Sequence, residues 1–143
     1  MTAISRMPSL ADSVFVDTSA IYALLVATDH DHARARASLA SLEKGRIGLV
    51  TSSYVLHETV ALLQSRIGIG AVRVFQDSVA PVLQVSWVDR HLHDRAMAAL
   101  LASRRRDVSL TDWTSFELMR ALRLEAAFAF DEDFRTEGFR TVP

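Results

Sequence analysis

The chain has 143 residues, half of them hydrophobic and 23% charged, which suits one globular domain with a real core rather than a disordered segment. It holds no cysteine, which excludes disulfides, thiolate zinc sites and cysteine nucleophiles. The net charge of −1 argues against a general nucleic-acid binder, although setting four clustered acids aside would move the rest of the surface from −1 to +3.

Residues 1–11 read as a flexible lead-in, followed by one domain over 12–143. Arg6 has no apolar segment between it and Asp12, so no signal peptide is expected. The longest apolar run, Ala20 to Ala27, is too short to span a bilayer, and the expected location is cytoplasmic. Ser13–Val16 is a short β-rich run that ends at Asp17. Ser19–Ala27 reads as a buried helix, and His30–Lys44 as an alanine-rich one closed by Gly45. Ile47–Thr51 is a second strand and Ser53–Arg66 a helix, with Gly68–Gly70 breaking the chain before a further helix towards Pro81. Val82–Val88 reads as a strand. Asp89–Arg106 reads as a helix whose arginines fall in its last turn. Ser109–Leu124 is a helix, Ala126–Phe130 a strand and Phe139–Val142 a short final strand. Short apolar strands alternating with longer helices predict a single α/β domain, a short and mostly parallel sheet flanked by helices on both sides.

Parallel α/β sheets build their sites outside the carboxyl ends of the strands. Asp17 and Asp131 each close a strand, and Asp112 opens a helix. All three have an ordinary use as helix or turn caps, and Ser109 with Asp112 has capping-box spacing. Glu58 is harder to explain that way. Tyr54, Val55, Ala61 and Leu62 lie one turn from it, so its carboxylate falls on an apolar stripe and needs a compensating partner. Two unit charges about 4 Å apart repel by roughly 4 kcal/mol at an effective dielectric near 20, so gathered acids either bind a cation or take up protons. Oxygen ligands without cysteine suit a hard ion, Mg²⁺ or Mn²⁺, of the kind that acts on phosphates.

Four stretches, VFVDTSAIYALL, SSYVLHETVALL, SLTDWTSFELMRAL and AFAFDEDFRTEGF, occur in the order seen in the PIN-domain ribonucleases, and the chain resembles that family, its VapC-type toxins above all. The resemblance runs from Val14 to the C-terminus. It implies a PIN fold, with Asp17, Glu58 and Asp112 as the core metal-holding acids and Asp131 as the fourth, Asp133 being the nearby alternative. It implies that Thr18 and Ser19 tune the Asp17 carboxylate or a metal-bound water. It also implies metal-dependent hydrolysis of RNA phosphodiesters to 5′-phosphate and 3′-hydroxyl ends, a cognate antitoxin and a homodimer.

Other features carry less weight. Only Lys44 among the 16 basic residues is lysine, and arginine suits phosphate contacts, but genome composition gives the same bias. Arg104, Arg105 and Arg106 suit either an RNA backbone or a solvated helix end. His30 with His32, and His91 with His93, lack a third ligand for a metal. Trp87, Trp113, Phe116, Phe128 and Phe130 fall within apolar runs and are expected in the core. A haloacid-dehalogenase-type phosphatase needs a second aspartate where Ser19 stands, and a receiver domain needs paired acids that are missing. The main rival is a PIN fold that binds RNA or protein without cutting it.

Overall fold

The computed structural model describes residues 10–143. The expected lead-in therefore lies outside the described residues except for its last two, which open a short turn at Leu10–Asp12. Five strands follow: β1 Ser13–Val16, β2 Gly48–Ser52, β3 Gln84–Ser86, β4 Ala126–Phe128 and β5 Arg140–Val142. They form one sheet in the order β3-β2-β1-β4-β5, with every pairing parallel. Seven α-helices flank it among the described residues: α1 Thr18–Leu25, α2 His32–Lys44, α3 Ser53–Arg66, α4 Ile69–Val74, α5 Arg90–Ser103, α6 Leu110–Leu122 and α7 Asp133–Thr136. None is long and apolar enough to cross a membrane.

The strand order explains where a site can form. The chain builds outward from β1 to β2 and β3, then returns to lay β4 on the other side of β1. Helices leaving β1 and β4 diverge there, which opens a crevice at the carboxyl ends of those two strands. The β1 strand, SVFV, is buried throughout because it is covered on both faces, as central parallel strands are. Below the crevice Phe15, Phe116 and Phe134 are fully buried, with Phe134 tilted against Phe15 and edge-on to Phe116. Fully buried Thr51 donates to the Val16 carbonyl at 2.8 Å, and the Asp17 amide donates to the Phe128 carbonyl at 3.1 Å. These bonds hold the end of β1 between its neighbours.

Several boundaries differ from expectation. The strand expected over Val82–Val88 keeps only Gln84–Ser86, because the Val88 amide is taken by Ser53 Oγ at 2.9 Å instead of a ladder partner. Trp87, expected in the core, is 75% exposed, whereas Trp113, Phe116 and Phe128 are buried and Phe130 half-buried. The strand expected to reach Phe130 stops at Phe128, since the Phe130 amide binds Ser19 Oγ at 3.0 Å. The helix expected towards Pro81 ends at Val74 and continues as a wide turn, Phe75–Val79, and a tight one, Ala80–Val82; Pro81 has no amide to offer an α-helical ladder. Finally, α5 ends at Ser103 because Arg104 adopts a left-handed conformation (φ 56°), so the three arginines lie beyond the helix.

Candidate active site

Asp17 follows the last residue of β1 and caps α1, its Oδ2 accepting from the Ser19 amide at 3.2 Å and from Ser19 Oγ at 2.7 Å. The capping role expected of Asp17 is present. Its other oxygen, Oδ1, is buried and has no partner, and the residue is only 4% exposed. Burial, above all, pushes the carboxyl up to about 7; the Ser19 hydroxyl pulls it down, and the charges of Asp112 and Glu58 push it further up. A buried acceptor left without a donor costs about 1–3 kcal/mol, and more if charged, so this carboxylate calls for a proton or a cation.

Asp112 stands in the first turn of α6 in a reciprocal capping box: its Oδ2 accepts from the Ser109 amide at 3.0 Å while Ser109 Oγ accepts from its own amide at 3.1 Å. Burial first, then the charges of Asp131 and Glu58, push its carboxyl up to about 6. Asp131, just past β4, accepts from the Asp133 amide at 2.9 Å and so also closes the start of α7. Its carboxyl is raised by burial, then by the neighbouring Asp133 and Glu58. Glu58, in the second turn of α3, is half-buried rather than fully buried, and its charge acts on all three aspartates. Carboxylate oxygens of Asp112, Asp131 and Asp133 lie within 4.8 Å of one another. Among the described residues none of Asp17, Glu58, Asp112 and Asp131 has an ion-pair partner.

Asp133 differs from these four in having one. Arg105 reaches it at 3.0 Å and Asp107 at 3.0 Å, joining the loop after α5 to the start of α7. Of the three arginines that suited either an RNA backbone or a solvated helix end, Arg105 is engaged by two carboxylates, while Arg104 and Arg106 are exposed without ion pairs among the described residues. No signal in the sequence pointed to this pairing, since 28 positions separate its members.

The two hydroxyls expected to tune Asp17 part company. Ser19 does contact it, and the same oxygen accepts from the Phe130 amide, so one side chain joins β1, α1 and the end of β4. Thr18 is turned to α3 instead, accepting from Thr59 Oγ1 at 3.2 Å and lying 3.5 Å from the Val55 carbonyl. It ties α1 to the helix that carries Glu58. No histidine joins the acids in a metal-holding group among the described residues: His30, His57 and His91 are exposed, His32 Nδ1 binds the Ala23 carbonyl at 2.8 Å, and His93 Nδ1 pairs with the Tyr54 hydroxyl. Ser19→Ala would strand the Phe130 amide and remove the hydroxyl from Asp17, so we expect a loss of about 1–3 kcal/mol in urea unfolding of the metal-free protein.

The donor set suits a hard divalent cation: an orphaned buried oxygen on Asp17, carboxylate oxygens of Asp112, Asp131 and Asp133 close together, the charge of Glu58 acting on Asp17, Asp112 and Asp131, and no nitrogen or sulfur ligand in the group. Comparisons with known proteins identify the family of this fold. The PIN domain profile matches residues 14–138. The 23S rRNA-specific endonuclease VapC20 of Mycobacterium tuberculosis, from strains CDC 1551/Oshkosh and ATCC 25618/H37Rv, is 38% identical over 130 residues, covering 90% of this chain and 97% of that protein. The crystal structure of Mycobacterium tuberculosis VapC20, described as a sarcin-ricin loop cleaving toxin, superposes with a TM-score of 0.79 at 37% identity over 89% of this chain and 96% of that one. FitAcB from Neisseria gonorrhoeae shares the fold at 13% identity, with a TM-score of 0.66 over 91% and 96% of the two chains. Profile, relatives and sheet order converge, and the chain belongs to the PIN-domain family.

Proposed function

We propose that this chain is a divalent-metal-dependent endoribonuclease of the VapC toxin type, hydrolysing RNA phosphodiesters at Asp17, Glu58, Asp112 and Asp131. The observation that carries this reading is that Asp17, Glu58, Asp112 and Asp131 act on one another by charge at the switch point of a parallel sheet, with no basic side chain pairing with them among the described residues. An enzyme with two relatives named as 23S rRNA endonucleases has that RNA as its first substrate to test.

Asp17, Asp112 and Asp131 would hold Mg²⁺ or Mn²⁺, with Glu58 beside them. When bound, such an ion supplies Lewis-acid stabilisation of phosphoryl charge and favours ionisation of an attacking water. The protein's own residues do the rest. Ser19 fixes one oxygen of Asp17, and the other, buried and unpartnered, would meet the ion. The capping box fixes the Asp112 carboxylate in the first turn of α6. Glu58, half-buried and without an ion-pair partner among the described residues, would take a proton from water.

The test is cleavage of 23S rRNA by the pure protein and by Asp112→Asn, each with Mg²⁺, Mn²⁺ or EDTA. Metal-dependent cutting that the variant loses is the expected result. RNA binding without cutting by the wild type would favour the binding-only PIN module instead. Asp131 rather than Asp133 is the fourth acid in this reading, because Arg105 already engages Asp133. Asp131→Asn should therefore lower kcat by about 100-fold or more. Asp133→Asn should cost less than about tenfold, with a lower melting temperature from the loosened Arg105 bridge.

A toxin of this type works in the cytoplasm against RNA and is held by an antitoxin, and a homodimer is the expected assembly. Ile67, Ile69 and Val74, at least half exposed around α4, are apolar side chains that such contacts would cover. Sedimentation of the pure protein at micromolar concentration tests the dimer.

A further inference from the structure

A cleft of about 180 Å³ opens beside Asp131, not lined by Asp17, Glu58 or Asp112, with Arg34, Phe130 and Arg135 together with Asp31 and Glu132 on its walls. Its composition is unlike the metal-holding group. Arg34, from α2, lies over the ring of Phe130 with its guanidinium carbon 5.4 Å from the ring centre. Asp31 holds the same guanidinium from one edge at 3.0 Å. Phe130 is itself anchored, since its amide binds Ser19 Oγ, the hydroxyl that also binds Asp17. Arg135 stands on another wall, its Nε donating to Thr141 Oγ1 at 2.8 Å.

Phosphate capture alone does not account for this lining, because Asp31, Asp131 and Glu132 outnumber the two arginines. A nucleobase fits it better. An arginine plane backed by an aromatic ring is a stacking surface for any unpaired base, and carboxylates beside it accept hydrogen bonds from base amino and imino groups. Backing by Phe130 and Asp31 also lowers the entropy that Arg34 would lose on stacking. The position of the cleft is telling: one wall is Asp131, so an RNA strand at the acid site would bring its adjoining nucleotide here.

We propose that this cleft is a nucleotide subsite, in which an unpaired base flanking the scissile phosphate stacks on the Arg34–Phe130 pair. The inference rests on the ribonuclease reading above and goes beyond it by naming a residue that selects substrate. The Arg34 side chain is 59% exposed, pairing with Asp31 and lying over the half-buried Phe130 ring, so its replacement should leave the fold intact.

The experiment measures kcat/KM on a short RNA containing the cleavage site, with a single abasic nucleotide placed in turn at each flanking position, for wild type, Arg34→Ala and Arg34→Lys. With intact RNA, both variants should lose about tenfold or more in kcat/KM. One abasic position should cost wild type a similar factor and cost both variants almost nothing, because the stacking surface is already gone. Equal abasic penalties in wild type and Arg34→Ala would overturn the proposal, as would full activity of Arg34→Lys, which keeps the charge without the plane. If wild type cuts no RNA with Mg²⁺ or Mn²⁺, the ribonuclease reading fails and the subsite fails with it. That outcome is distinct from active enzyme with an indifferent Arg34.

Discussion

Asp17→Asn should lower the rate of RNA cleavage by about 10³-fold or more while raising the stability of the metal-free protein at pH 8. The two effects have one cause. The wild-type carboxylate is buried beside Asp112 and Glu58 with one oxygen unpartnered, which disfavours its charged form. Asparagine has almost the same shape, keeps an oxygen for the Ser19 hydroxyl and carries no charge, so the folded state loses a cost that the unfolded chain never had. Enzymes commonly accept such a cost at a site for the sake of activity. The measurements are single-turnover cleavage and urea unfolding in EDTA. Wild-type activity in the variant would remove Asp17 from the site. Lower stability at pH 8 would mean that the negative charge itself strengthens the helix cap more than burial penalises it.

The metal-free wild type should lose stability as pH rises from 5 to 8, and Mg²⁺ or Mn²⁺ should restore it. In the unfolded chain an aspartate gives up its proton near pH 3.9, whereas folded Asp17 holds its proton up to about 7 and Asp112 up to about 6. Between those values the native state binds more protons than the unfolded state, so stability falls with rising pH and levels off above about 7. The fall over this window is on the order of 3 kcal/mol, carried mainly by Asp17, since Asp112 is partly exposed and its share is screened by water. A cation that binds only the folded, deprotonated site reverses the trend, adding about 2.7 kcal/mol at a hundredfold excess over its dissociation constant. Unfolding curves at pH 5, 6.5 and 8, with EDTA or with Mg²⁺, measure both. Equal stability at all three pH values in EDTA would mean that the acids are hydrated rather than buried.

Much of the architecture was legible in the residues. The bounds of β1 and α3 match the expected Ser13–Val16 and Ser53–Arg66, because a β-rich run closed by an aspartate and a serine cap before an apolar-periodic stretch are local signals. The Ser109–Asp112 capping box was likewise visible in its spacing and is present with both of its bonds. The apolar stripe around Glu58 pointed to a carboxylate with a purpose beyond solubility. It overstated the burial, since the periodicity of one helix says which face is apolar but not how deeply the neighbouring elements cover it.

Pattern and capping chemistry act over a few residues along the chain, so strands, helices and the four candidate acids could be read directly from their order. Charge neutralisation and desolvation act through space, and their outcome awaited the fold. Arg105 meets Asp133 across 28 positions and thereby sets Asp133 apart from Asp131. Ser19 meets the Phe130 amide across 111 positions, ending a strand early and steadying Asp17 with the same oxygen. Trp87 lies in an apolar run yet faces solvent, because the edge strand before it stops pairing at Ser86. Coulomb and solvation energies depend on separation and burial in three dimensions, quantities that a linear order of residues does not contain.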